Sequence, residues 1–250
     1  EPEELSYDLT ALVDGNLPSR RLLTAGLPRM PRYVFQEPWM TLAIPARTGG
    51  RPPEDVRIEP GTPGDMPLIA DCLDRNARRR QFARLWTGPT LRLLADRFNL
   101  RPGDFLLARR EGDVVGCLAL WDQRPFRQHV VRGYGRGLSL LRPLVNLLGR
   151  IRLPPAGNPM REAFLSHLAI DGDDSRVFVP LVRAARAAAS CRGIDWIHLG
   201  LAERHPLFEP ARKAFSCFAY RSLLYRVEWE APGADEIPDD RIPHPEGALL

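Results

Sequence analysis

The stretch AFLSHLAIDGDDSRVFVPLVRAARAAASCRGIDWIHLGLA, residues 163–202, sets the class of the fold. AFLSHLAID (163–171) is an apolar, β-rich run and reads as a strand. From about Ser175 to Arg192 the pattern turns helical, with Phe178, Leu181, Val182, Ala185 and Ala189 on one face. Gly193 stands where a left-handed cap would end that helix. WIHLGLA (196–202) then reads as a second strand.

Working outward, VRIEP (56–60) is a short strand. Thr62-Pro63-Gly64-Asp65 offers a helix start, with Thr62 or Asp65 as cap, and Met66, Ile69, Leu73 and Ala77 give the following helix an apolar stripe. A second helix is expected over roughly 88–98, carrying Leu91, Leu94, Ala95 and Phe98. FLLARREGDVVGCLALWD (105–122) reads as a hairpin turning at Glu111-Gly112-Asp113. After residue 202 come a helix near 207–215 and a strand, YRSLLYRVEWE (220–230). The order β–α–α–β–β–β–α–β–α–β describes an α/β (α+β) chain with a mixed central sheet flanked by helices. ARTGGRPPED (46–55) has the composition of a linker. The stretch after residue 230, rich in Pro and acid, reads as a tail that is disordered or lies on the surface.

Composition sets outer limits. Of the 250 residues, 44% are hydrophobic and 26% charged, which excludes a mainly disordered chain. Net charge is +4, and Lys213 is the only lysine, so the basic residues are almost all arginine, as a GC-rich genome would produce. The excess is too small to point to nucleic acid. Cys72, Cys117, Cys191 and Cys217 lack any metal-binding spacing and are expected to be buried free thiols. No metal site is expected. No apolar run approaches the roughly 20 residues of a membrane span, and no secretory leader is visible, so a cytoplasmic protein is expected.

The element order, together with FLLARREGDVVGCLAL and FLSHLAIDGDDSRVFVPLVRAARAAASCRGIDWIHLGL, resembles the GNAT superfamily of acyl-CoA-dependent N-acyltransferases over about 56–230. Residues 122–162 would be an insertion. The resemblance implies acetyl-CoA or another acyl-CoA as cofactor. Its pantetheine would pair with the main chain at Leu168, Ala169 and Ile170, and its pyrophosphate would rest on Ser175 and Arg176 at the next helix start. The family's phosphate loop is rich in glycine. Here it reads Asp171-Gly172-Asp173-Asp174-Ser175-Arg176-Val177, where three carboxylates oppose an anion and also suit a helix cap. Gln128–Gly135 (QHVVRGYG) resembles the loop of the histone acetyltransferase branch but stands one strand too early. Arg132 and Tyr134 within it are candidate liners of a substrate pocket, as is His167.

Amine attack on a thioester needs a base and an acid. The family often supplies a tyrosine acid on the last helix, and Pro210 stands at that place. Glu203 and His205, at the end of a strand, are the substitute catalytic candidates. Strand alternation puts His167 on the opposite face from Ser166 and Leu168. Arg75, Arg78, Arg79, Arg80 and Arg84 form a solvated helix face or attract an anionic acceptor or an acidic carrier.

Residues 7–44 look like a second copy of the domain's last third. YDLTALVD, GNLPSRRLLTAGL and PRMPRYVFQEPWMTLAIP run strand, short helix, hairpin, and Asn16, Ser19, Gly26 and Leu27 follow the family pattern. On that reading residues 1–45 are the end of a first GNAT-like domain, and Glu1 is a break inside a larger tandem protein. Strands near 7–13 and 33–44 must then pair with a sheet, supplied by a missing N-terminal half, a second chain or the complete domain. The expected activity is acyl transfer to a small-molecule amine or a carrier-bound acceptor. The alternatives are a catalytically degenerate GNAT-like binding module and an aminoacyl-tRNA-dependent transferase.

Overall fold

The computed structural model describes residues 7–48, 55–147, 152–229 and 239–250. The expected linker 46–55 lies mostly outside these residues, as does the first part of the expected tail. The elements are β1 (Tyr7–Val13), α1 (Leu17–Leu23), β2 (Arg32–Pro45), β3 (Arg57–Pro60), α2 (Met66–Ala77), α3 (Gly88–Arg97), β4 (Phe105–Arg110), β5 (Asp113–Trp121), α4 (Arg136–Leu147), β6 (Glu162–Ile170), α5 (Ser175–Cys191), β7 (Trp196–Ala202), α6 (Phe208–Ala214) and β8 (Phe218–Glu228).

Local chemistry explains several boundaries. Asp65 accepts hydrogen bonds from the Thr62 N–H and hydroxyl at 2.9 and 2.6 Å, locking a 3-10 turn that feeds α2. Glu111 and Gly112 both take positive φ, as a tight β4–β5 hairpin requires. Gly193 closes α5 at φ +68°. Free thiols are present as expected, but Cys191 is exposed because it falls on the solvent side of the last turn of α5.

Among the described residues the eight strands form one mixed sheet in the order β1-β8-β2-β7-β6-β5-β4-β3. Only β6 and β7 run parallel; the other pairs are antiparallel. The N-terminal strands therefore pair, and they pair with this same sheet. β2 lies between β7 and β8, from Trp39↔Ala202 to Pro45↔Trp196 on one side and from Arg32↔Glu228 to Ala43↔Phe218 on the other. The hairpin expected within 28–45 is instead one 14-residue strand. A bulge at Gln36 absorbs the polar interruption without a turn.

One face of the sheet packs Leu42, Ile44, Leu118, Leu165, Ile197 and Leu199 against Phe178, Leu181 and Val182 of α5. The other packs Phe105, Leu107, Cys117, Ala119 and Trp121 against Ile69 and Leu73 of α2 and Leu91 and Leu94 of α3. On the β2–β7–β8 half, no helix among the described residues packs on that second face. Trp39, Ala202 and Leu224 there pack with Phe82, Ile242 and Leu250. Residues 239–250 are thus part of the packed structure and not a surface tail: Ala248 is 1% exposed. No helix among the described residues is long and apolar enough to cross a membrane.

Candidate functional site at the parting of two strands

β6 and β7 stay paired only from Glu162↔Trp196 to Leu165↔Leu199, and beyond Leu165 they part. At the same level β6 bulges against β5. Ser166 pairs with Ala119 and Ala169 with Cys117, so His167 and Leu168 together face one residue, Leu118. His167 sits at φ +52°. The bulge breaks the alternation expected along FLSHLAI and swings the His167 ring inward, among Trp86 (centroids 4.2 Å apart), Phe105 (5.4 Å) and Trp121 (5.9 Å). Burial drops its pKa to about 3, so it is neutral.

The His167 N–H and the Leu168 carbonyl face the gap. Glu246 Oε2 accepts the former at 2.7 Å, and His244 Nε2 lies 3.2 Å from the latter. Ala169 and Ile170, the other expected cofactor contacts, are 3% exposed, with side chains in the two apolar layers, and with Leu168 they border the small cavity at the gap. The remaining cavity is about 40 Å³, bordered by Arg80, Trp86, His167, Asp173, His205 and Glu246. That is room for water-sized guests only.

At the start of α5, Asp174 caps the helix by accepting the Arg176 N–H at 2.9 Å. Arg176 is exposed and turns its guanidinium back onto Asp174, while Ser175 is half-buried. The other loop carboxylates meet the arginines of α2 and its end. Asp171 takes Arg75 at 3.0 and 2.9 Å and Asn76 at 2.8 Å; Asp173 takes Arg79 at 2.6 Å and Arg80 at 2.5 Å. Burial alone would raise the Asp173 pKa, but the Arg80 and Arg79 guanidiniums hold it below the usual carboxylate range. Three of the five arginines in the run therefore pair with the loop's carboxylates, Arg78 pairs with Asp74, and the corner expected to cradle a pyrophosphate is filled by its own anions. An acyl-CoA does not fit this closed arrangement.

The structure does not bring Glu203 and His205 together as a catalytic pair. Glu203 is exposed beside Arg221 at 3.5 Å. His205 is buried, its Nδ1 accepts the Leu207 N–H at 3.1 Å, and burial with His244 nearby lowers its pKa to about 3. Arg132 is exposed, and the Tyr134 hydroxyl donates to the Pro154 carbonyl at 2.6 Å; neither borders the cavities beside the parting.

A different cluster is assembled. Glu162, at the first residue of β6, hydrogen-bonds His198 Nε2 at 2.7 Å through Oε2 and His129 Nδ1 through Oε1. Burial would raise the Glu162 pKa, but the two imidazoles keep it low. A carboxylate only accepts, so the facing nitrogens carry protons, and in the neutral form of each ring His198 Nδ1 and His129 Nε2 are the lone-pair atoms. Both rings border a cavity of about 190 Å³, with Trp39, Phe164, Gly200 and Tyr220. The available signal was a polar residue at an alternate position in each of two apolar strands. Only the β6–β7 register and the return of residue 129 reveal that they meet. No group of His, Cys, Asp and Glu suited to a metal ion occurs among the described residues.

No family model matches the sequence, and no curated protein matches it. Solved structures do. A GCN5-related N-acetyltransferase from Sphaerobacter thermophilus aligns with TM-score 0.61 at 13% identity, over 92% of this chain and 62% of that one. The GCN5-related glucosamine N-acetyltransferase region of a fungal multi-domain GH3 β-N-acetylglucosaminidase aligns at 0.50 and 13%, over 85% and 24%. Saccharomyces cerevisiae N-myristoyltransferase, solved with myristoyl-CoA and inhibitors, aligns at 0.50 and 10%, over 82% and 53%. The chain thus spans less than two thirds of each of these. At such identities the likeness is one of fold: the chain has the GNAT fold.

Proposed function

We propose that this chain is an acyltransferase module that moves an acyl group from a thioester of the acyl-CoA type to an amine, at the gap between β6 and β7. The observation that carries the reading is the free main-chain edge of β6. At His167 and Leu168 a donor and an acceptor face a gap with no neighbouring strand, and side chains from 75 or more residues away answer them. An extended ligand with its own amide groups is the natural partner of such an edge. The thioester would supply an activated carbonyl and a thiolate leaving group.

The chain's own contribution lies beside the gap. His198, held by Glu162, is a base with its proton fixed on Nε2 and its lone pair on Nδ1, suited to taking a proton from an acceptor amine. Trp39, Phe164 and Tyr220 give that cavity apolar walls that exclude water from the amine. A second reading, a catalytically degenerate GNAT-fold binding module, is favoured by the three self-neutralised carboxylates at the start of α5. Thiol release from acetyl-CoA across a panel of primary amines tests the choice. Turnover abolished by His198→Asn supports the acyltransferase; ligand binding without turnover in any pairing supports the binding module.

A further inference from the structure

We propose that residues 242–248 are a displaceable strap, which occupies the thioester's place on β6 and must leave before a ligand can enter. The inference rests on the acyltransferase reading above and names how that site is regulated.

The strap answers the β6 edge group for group. Glu246 takes the N–H of His167 and His244 takes the carbonyl of Leu168, the donor and acceptor that a ligand's amides would use. Gly247 passes close over β7: a Cβ added to it would meet the Trp39 ring at 3.1 Å and the Gly200 Cα at 3.4 Å. The segment is IPHPEGA, and Pro243 and Pro245 have no N–H to give. It therefore cannot add to the sheet as a paired strand and binds β6 through side chains instead.

Its hold is imperfect where it matters. His244 Nδ1, His167 Nε2 and Gln123 Oε1 are buried without a hydrogen-bond partner, and all three belong to the strap or to residues that touch it. Such orphaned groups weaken the closed state. Glu246 is a buried carboxyl that faces a neutral ring 3.7 Å away, and burial raises its pKa to about 7. By contrast, the approach to the strap is firmly tied. The Gln81 N–H donates to the Ile242 carbonyl at 3.0 Å, the His244 N–H donates to the Gln81 carbonyl at 2.8 Å, and Arg204 holds the carbonyls of Asp240 and Arg241 at 3.2 Å. Its far side is tied as well: the Ala248 carbonyl accepts from Gln123 Nε2 at 3.0 Å and from Arg127 at 3.2 Å, and Ala248 is buried. Two tied ends around a poorly satisfied middle are the build of a segment that bows away from β6.

The test uses the full chain, wild type and His244→Ala/Glu246→Ala, with S-acetylpantetheine and acetyl-CoA in titration calorimetry and a thermal melt to confirm folding. The expected result is at least tenfold tighter S-acetylpantetheine binding by the double variant. Equal affinity in two folded proteins overturns the strap and leaves the acyltransferase reading standing. Binding by neither overturns both. Should the double variant not fold, His244→Ala alone is the second readout: tighter S-acetylpantetheine binding than wild type supports displacement, whereas equal affinity overturns it.

Discussion

The Glu246 carboxylate accepts the main-chain N–H of His167 at 2.7 Å, across 79 positions of sequence, in the gap where β6 parts from β7. That N–H is free because the β6 bulge places two residues opposite one on β5, and the parting leaves no strand to take it. A buried donor left unpaired is costly, so something must fill the position. In the closed form the chain fills it with its own acid.

The buried histidines make stability depend on pH. His167, His205 and His244 have folded pKa values near 3, 3 and 4, against about 6.5 unfolded. A depressed base contributes stability that is present above the unfolded value and lost as pH falls below it. Glu246, raised to about 7, opposes this between its ordinary value and 7. Three groups outweigh one, so urea unfolding should show stability falling by on the order of 1 kcal/mol per pH unit from pH 6.5 to 5. A flat profile would contradict the buried, neutral state of these rings.

Two glycines are predicted to resist even a methyl group. A Cβ on Gly200 would lie 2.8 Å from the Trp39 ring, and one on Gly116 would lie 2.9 Å from Ile170, 3.0 Å from Val177 and 3.2 Å from the Ala169 carbonyl. Gly200→Ala and Gly116→Ala should each cost about 1–3 kcal/mol in denaturant unfolding, through overpacking of a filled core. The exposed Gly133, with open space around it, serves as control and should change little on substitution by Ala.

Removal of residues 7–45 is expected to abolish folding. β2 is flanked by β7 and β8, and its Leu42 and Ile44 are fully buried. Without it two strand edges and an apolar layer are exposed at once. Circular dichroism and gel filtration should show an unfolded or aggregated product; a folded monomer would show that β2 is dispensable.

Glu162→Gln should leave thioester affinity within about threefold and lower turnover by about 10²-fold or more, because an amide has one oxygen to serve two imidazoles and no charge to hold the His198 tautomer. His198→Asn should lower turnover at least as far. Steady-state kinetics with a productive amine separates this from a binding effect: a change confined to KM would exclude the base role.

Asp173→Ala should release Arg79 and Arg80 from their internal partner. Acetyl-CoA binding should then strengthen severalfold while S-acetylpantetheine binding stays constant, since only the former carries phosphates. Parallel calorimetric titrations decide it. A gain shared equally by both ligands would place the effect elsewhere than at phosphate.

Most elements of this fold are legible in the sequence because they rest on local causes. The stripe Phe178–Ala189 needs only helical periodicity, Gly193 only its tolerance of positive φ, and the β4–β5 turn only Glu111-Gly112 between two apolar runs. The N-terminal strands could be expected to need a sheet, because half a core does not stand alone. Which sheet, and that β2 would separate β7 from β8, was settled by long-range pairing that no local pattern encodes. The site shows the same division. The acidic loop 171–174 was visible as an obstacle to phosphate, but its arginine partners come from α2 and its end, more than 90 positions away. Strand alternation places His167 opposite both Ser166 and Leu168; it is opposite Leu168, but the bulge returns it to the side of Ser166, 2.9 Å from that hydroxyl. Glu162, His129 and His198, and the return of Glu246 to His167, exist only once the sheet register is set. From the sequence by itself most elements and their order could be read locally, since backbone propensity and hydrophobic period act over a few residues; the single strand β2, read as a hairpin, could not. Tertiary structure alone decided what fills the gap between β6 and β7, since that depends on which distant groups satisfy a main-chain edge left without a partner.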